Sequence, residues 1–344
     1  MLNLNNKICI DIGNNKIKIT EAAVSKNGIN IKKAVILDTP ENSFNDGNIT
    51  NLISIKDEIE SGLKENKIKC KNAIFTTNSS NIITREIEIP MTKDKNIKGI
   101  IRTQMEQYLP LAYDSYVLEY IKLGIIENKL LVRVVVFPKD MAKNYYDLCH
   151  NLGLKPVALD IHSNGVTKLV KRVQKINGLN LEGSSFALVD IGDNSITFNG
   201  YKNKELKFSR IIQSGFGDIF RYFHEERGES EENVMKLIEN IDLDKNSEEE
   251  NGVESSIIYD TTLQWGREIE RLLNYYSNTL RNEVDIIYIY GGGSKLNGIE
   301  NILKEIVDIE VRKLNEIKFK STHLKDENIE MLINNIGASF RNGR

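Results

Sequence analysis

The chain has 344 residues, 40% of them hydrophobic and 28% charged, with a formal net charge of −3. Such a chain can bury a sizeable core, and its charge excludes a nucleic-acid binder that works by broad counterion release. Three scattered cysteines (Cys9, Cys70 and Cys149) form no metal-ligand spacing, no run nears the ~20 apolar residues of a membrane helix, and no signal-peptide core opens the chain, so the expected compartment is the cytoplasm.

The first elements read as a strand meander at 7–12, 16–24 and 29–37. A helix follows at about 54–66, with Ile55, Ile59 and Leu63 on one face, and then a strand at 73–77. Mixed antiparallel and crossover connections imply an α/β architecture. Residues 79–138 break the pattern: a strand at 82–89, Pro90, an amphipathic helix through Ile97, Ile101 and Met105, the Tyr108-Leu109-Pro110 stop, and strands at 117–125 and 130–137. That is a compact unit inserted into a first lobe. A helix at 139–151, a strand at 155–160 and a helix at 163–174 return to the main body, and 178–183 reads as the linker.

A second lobe then restarts the meander at 185–191, 195–201 and 204–212. The glycine turn of Gly215 and Gly217 enters a helix at 218–226, and a helix at about 230–240 carries Lys236. The acidic run 244–254 reads as a solvated loop. Helix 261–281 puts Trp265, Ile269, Leu272, Leu273, Tyr276 and Leu280 on one stripe, ordinary core spacing that makes Trp265 a buried anchor. Strand 285–290 runs into Gly291, Gly292, Gly293 and Ser294, followed by helices at 299–306 and about 328–340. Three glycines between a strand and a helix let backbone approach a flat or anionic ligand.

The two meanders share a motif. Asp11-Ile12-Gly13-Asn14-Asn15-Lys16-Ile17-Lys18 and Asp190-Ile191-Gly192-Asp193-Asn194-Ser195 each follow an apolar strand and precede an alternating one. Gly and Asn are also the usual residues of a plain hairpin turn. A single Asp-Ile-Gly therefore means little, but two copies half a chain apart imply two lobes around one phosphate-bearing ligand. Backbone N–H groups of such turns hold phosphate, and the carboxylates orient a metal. Other chemistry is missing: 224–228 lacks the second His of HExxH, there is no GxxxxGK[ST] loop, and the four histidines are not at metal-ligand spacing.

These pieces, in this order, resemble the actin-like (ribonuclease H-like) two-lobed nucleotide-binding fold of actin, the heat-shock chaperones and the sugar kinases. Within it the chain is similar to the PilM family of type IV pilus assembly proteins, relatives of the division protein FtsA. The resemblance rests on the inserted unit at 79–138, the run 104–110, Ser209-Arg210, the run 267–271 before Tyr275-Tyr276, and the run 291–296. It covers about 7–340, with lobes at 1–178 and 179–344 and the last helix packing back on the first lobe.

The resemblance implies ATP and Mg²⁺ between the lobes. Asp11 and Asp190 would orient the metal through water. Gly13, Asn14, Asn15, Lys16, Lys18, Gly192, Asp193, Asn194 and Ser195 would meet the phosphates, Gly215 and Gly217 would form the turn before the second-lobe helix, and Lys236 would approach the ribose. Gly291, Gly292, Gly293 and Ser294 would hold the adenosine. It also implies a PilN-like partner, whose cytoplasmic tail would meet the region of Tyr108, Leu109 and Pro110. The pilus assembly ATPase and platform proteins would be reached indirectly, the membrane only through partners, and a homodimer is left open. The family places small Thr or Ser residues where Asn14, Asn15 and Lys16 stand, and an acidic residue where His162 stands. Binding is therefore implied more firmly than hydrolysis. The alternatives are an FtsA-like division protein, which would need an amphipathic tail absent after 328–340, and an ATPase or sugar kinase, for which no acidic-polar sugar cleft is visible.

Overall fold

Alternation along the first strand decides which way its aspartate faces. The structure, a computed structural model, describes residues 5–229, 252–325 and 328–341, with positions 233, 234, 236, 238, 241 and 243. β1 (Asn5–Ile12), β2 (Lys16–Val24) and β3 (Ile29–Asp38) form an antiparallel meander. Ile8, Ile10 and Ile12 point into one apolar core. Side chains alternate between faces, so Cys9 and Asp11 point the other way. A two-strand pair, β4 (Phe44–Asn45) and β5 (Asn48–Ile49), precedes α1 (Leu52–Glu65), which is capped by Asn51 accepting from Ser54 N at 3.2 Å. The crossover then places β6 (Asn72–Thr77) parallel to β1.

The inserted unit has its own core. β7 (Ile83–Pro90), α2 (Asp94–Met105), β8 (Tyr116–Ile126) and β9 (Lys129–Pro138) pack as a three-stranded sheet against one helix, around Ile97, Ile101, Met105, Val132 and Val134. Arg133 crosses from it to the second meander, donating to Leu206 O at 3.0 Å while pairing with Glu86. α3 (Lys139–Asn151), β10 (Lys155–Ile161) and α4 (His162–Val170) follow, completing a sheet of order β10-β6-β1-β2-β3.

The expected linker is partly strand. β11 (Lys175–Ile176) and β12 (Leu179–Asn180) make a small hairpin. The second meander is β13 (Ser185–Ile191), β14 (Ile196–Lys202) and β15 (Glu205–Ile212). α5 (Phe216–Arg227) and the long α6 (Gly252–Leu280) lead to β16 (Ile286–Tyr290), parallel to β13. α7 (Ile299–Val307) and β17 (Glu310–Lys313) close a sheet of order β15-β14-β13-β16-β17. Read backwards, this is the first sheet's order again: antiparallel meander, then two parallel strands reached by crossover helices, as parallel pairing requires. β18 (Glu316–Lys318) and β19 (His323–Lys325) extend the β11–β12 hairpin into a four-stranded sheet, and α8 (Ile329–Ser339) ends the fold.

α6 starts nine residues earlier than its stripe predicts, within the stretch read as a loop at 244–254; residues 244–251 of that run lie outside the described residues. So does most of the helix expected at 230–240, of which Asn233, Val234, Lys236 and Ile238 are helical. Trp265 is fully buried and donates its indole N–H to Ser214 Oγ at 3.0 Å.

β13 repeats the geometry of β1. Ala187, Val189 and Ile191 face the core built by α5, α6 and α7, and Phe186 and Leu188 face a second core shared with α4 and α8. Asp190 falls on that shared face. α8 packs across α4 and against β1 and β2. Its Asn335 is fully buried and donates to Cys9 O and Lys18 O, both at 2.9 Å. Asn335→Ala removes two hydrogen bonds that tie α8 to the strand carbonyls of Cys9 and Lys18, and should cost about 2 kcal/mol, read as a lower denaturant midpoint. An unchanged midpoint would mean that the amide anchors nothing.

Candidate nucleotide cleft

Each Asp-Ile-Gly folds into the same turn. Gly13 N–H donates to Lys16 O at 3.0 Å, and Gly192 N–H donates to Ser195 O at 3.0 Å. A Cβ at either glycine would lie about 3 Å from that acceptor, 3.1 Å at Gly13 and 2.9 Å at Gly192. Asp11 is in register with Lys18, and Asp190 with Thr197. Thr39 braces the first loop through Gly13 O at 2.7 Å. Asn78, at the end of β6, joins the two halves by donating to Thr197 Oγ1 at 2.8 Å.

Both loops line one cavity of about 720 Å³. Asp11, Gly13, Asn14, Asn15, Lys16 and Lys18 come from the first hairpin, and Asp190, Gly192, Asp193, Asn194 and Ser195 from the second; Gly291, Gly292 and Gly293 line it too. Phe216, Ile238, Leu296 and Met331 give it an apolar side.

Four expected residues stand elsewhere. Gly215 and Gly217 do not line the cavity. Gly217 N–H is spent on Asp193 O at 2.8 Å, and a Cβ at Gly215 would lie 2.3 Å from the same oxygen. This turn clamps α5 onto the second loop, with Asp218 Oδ2 accepting from Gly215 N at 3.1 Å. Ser294 is buried and donates to Gly291 O at 2.7 Å, closing the glycine turn from behind. Lys236 is exposed and lies off the cavity wall, whereas Ile238 two residues on lines it. Tyr108, Leu109 and Pro110 sit in the inserted unit: Tyr108 lies under the Arg85 guanidinium at 4.0 Å, Leu109 packs on that unit's core, and Pro110 is exposed.

At the bottom of the cleft the two aspartates meet side chains from α4 and α8. His162 Nε2 is 2.8 Å from Asp11 Oδ1, and its Nδ1 is 3.9 Å from Asp190 Oδ2. Lys18 Nζ is 3.4 Å from Asp11 Oδ2. Asn334 Nδ2 donates to Asp190 Oδ2 at 2.8 Å and lies 3.3 Å from His162 Nδ1. Burial opposes ionisation of Asp11, but His162 and Lys18 outweigh it and hold the carboxyl at about 2. Burial pushes Asp190 up despite His162 and Asn334. Burial also disfavours a charged His162, yet Asp11 and then Asp190 raise its pKa.

Mg²⁺ takes six oxygens in near-ideal octahedral geometry and keeps several waters. Here Asp11 is fully buried with both oxygens facing protein donors, and Asp190 Oδ2 is held by Asn334. This donor set does not fit a hydrated Mg²⁺ between the two carboxylates. Among the described residues no group of three or more acidic, His or Cys side chains is arranged to hold a metal.

The family model for the type IV pilus assembly protein PilM matches residues 9–337. The chain belongs to the PilM family. No protein with a curated description matches it by sequence. Among solved structures it is similar to a PilM-PilN type IV pilus biogenesis complex, at 18% identity and a TM-score of 0.77, covering 90% of this chain and 88% of that one. It is also similar to the ethanolamine utilization protein EutJ from Carboxydothermus hydrogenoformans (11% identity, TM-score 0.58, 98% and 90% covered). MreB5 of Spiroplasma citri bound to ADP follows (10% identity, TM-score 0.53, 96% and 94% covered). At these identities the likeness establishes the fold, which is actin-like. No helix among the described residues is long and apolar enough to cross a membrane.

The PilM fold also explains what the motifs left unread. Asn334 reaches the cleft from the far end of the sequence. Its signal was visible as two adjacent asparagines in the apolar middle of a helix, a costly placement unless each amide has partners. Phe44, Asn78 and Met331 line the cavity without a motif of their own, and Phe216 lines it from within the glycine turn whose glycines do not.

Proposed function

We propose that this PilM-family chain is a cytoplasmic ATP-binding scaffold of the type IV pilus machinery. One observation carries the nucleotide part: two loops with the same Gly N–H to carbonyl turn line one cavity whose other wall is apolar. Phosphates would meet the loops and Lys18, and the base would lie between Gly291–Gly293 and the apolar wall. MreB5 of the same fold has been solved with ADP and with AMPPNP. The role is conformational, the nucleotide setting how the two halves close through α4 and α8. The Mg²⁺ expected between Asp11 and Asp190 would have to displace the His162 ring from that gap.

The partner in this reading is the cytoplasmic tail of a PilN-like inner-membrane protein, supported by the solved PilM-PilN complex. The inserted unit offers exposed apolar side chains, with Met91 51% exposed and Leu111, next to Pro110 in the chain, 65% exposed. Membrane contact would run through that partner.

The test is a calorimetric titration of ATP into wild type and Asp190→Ala. The variant removes the acceptor that fixes Asn334 at the cleft floor, and should bind ATP at least about tenfold more weakly while remaining folded. Equal affinities would sink the site assignment. Titrating the partner's tail peptide with and without ATP then tests the scaffold role, which predicts different affinities.

A further inference from the structure

We propose that His162 makes nucleotide binding in this cleft independent of divalent metal. The inference deepens the nucleotide reading above and rests on it. Where a bridging ion would join the two hairpins, an imidazole joins them instead. The ring is the first residue of α4, only 13% exposed, and stands between carboxylates from both halves.

The hydrogen bonding closes without a metal. In the neutral ring, with its hydrogen on Nε2, His162 donates to Asp11 Oδ1 at 2.8 Å while Nδ1 accepts from the Asn334 amide at 3.3 Å; in the charged ring Nδ1 becomes a donor facing Asp190 Oδ2, 3.9 Å away. The second amide hydrogen of Asn334 goes to Asp190 Oδ2 at 2.8 Å. The neutral tautomer is inferred from the network, and it gives each of those polar atoms a partner. Lys18 lies on the remaining oxygen of Asp11 at 3.4 Å. A hydrated ion bridging Asp11 and Asp190 would have to displace the His162 ring, break two of these hydrogen bonds and shed water that Mg²⁺ gives up reluctantly. The phosphate charge then falls to Lys18 and to the backbone of the two loops.

An acidic residue at the same place would reverse the requirement. Three carboxylates would face one another in a buried site, and only a cation relieves that. Residue 162 is thus the position that decides whether the cleft needs a metal.

The experiment is ATP titration of the full-length chain, wild type and His162→Glu, in excess EDTA and in excess Mg²⁺, with melting curves of each protein with Mg²⁺ alone. Wild type should bind ATP with affinities within about twofold in the two conditions, and Mg²⁺ alone should not move its melting temperature. His162→Glu should bind at least about tenfold more tightly with Mg²⁺ than in EDTA and should melt higher when Mg²⁺ is present. Wild-type binding that tightens about tenfold or more with Mg²⁺ overturns this inference and leaves the nucleotide reading standing. Absence of ATP binding in both conditions overturns the nucleotide reading and this inference with it. Should His162→Glu not fold, the wild-type comparison alone decides.

Discussion

Gly337→Ala should destabilise the protein by about 3 kcal/mol, seen as a lower midpoint in chemical denaturation. The reason is a backbone crossing. A Cβ on Gly337 would lie 2.5 Å from both the carbonyl carbon and oxygen of Gly165, and 2.9 Å from Val166 N. None of those atoms can rotate away. Helix α8 cannot slide outward either, because Asn335 ties it to Cys9 O and Lys18 O. The mirror substitution is the control. A Cβ on Gly165 would approach Ala338 N at 3.2 Å and its Cα at 3.5 Å, a contact that a small shift relieves. Gly165→Ala should therefore cost clearly less, about 1 kcal/mol. Equal costs for the two, or no cost for Gly337→Ala, would mean that the helices are not locked at this crossing. If they are, the same variant should weaken ATP binding, since Asn334 and His162 ride on the two crossing helices.

That crossing also shows where reading the chain stops. The two meanders were legible because strands leave a period of two and hairpins leave Gly and Asn. β1, β2, β13 and β14 therefore lie within one or two residues of their expected bounds. β4, β11, β12 and β18 have two or three residues each, too few for any periodicity. Helix α6 begins before the stripe read from 261 onwards: Ile258, two turns ahead of Trp265 on the same face, is fully buried in the same core, and the polar residues around it hid this extension.

The site divides the same way. The first-lobe hairpin and the triglycine turn are local in sequence, and their chemistry is local too. Gly215 and Gly217 mark the limit of that logic, since a glycine needed to let backbone approach a ligand looks the same as one needed to let backbone approach a neighbouring loop. The His162–Asn334 link joins residues 172 positions apart. No spacing rule encodes such a pair; only the packing of α4 on α8 brings it together.

Gly291→Ala should weaken ATP binding markedly, whereas Gly292→Ala one residue later should leave it nearly intact. Gly291 has φ +87°, a backbone state that side-chain-bearing residues rarely adopt. Its missing Cβ also makes room: one there would stand 2.3 Å from Asp190 Oδ1 and 2.7 Å from Ile191 O. Alanine must therefore push the second Asp-led hairpin away from the triglycine turn, or pull Gly291 N–H off Glu330 O, to which it donates at 3.1 Å. Either movement separates the two walls that would hold the phosphates and the base. Strain of this kind costs about 1–3 kcal/mol, enough for a loss of affinity between about fivefold and a hundredfold. At Gly292 a Cβ would meet only the Met331 side chain, at 3.8 Å and 3.9 Å, which is ordinary contact. The change there should stay within about threefold. The pair separates a triglycine demanded by the ligand from one demanded by the fold. If both variants lose ATP equally, the ligand needs every glycine. If Gly291→Ala binds ATP like wild type, the second hairpin is not held against this turn and the cleft is built differently.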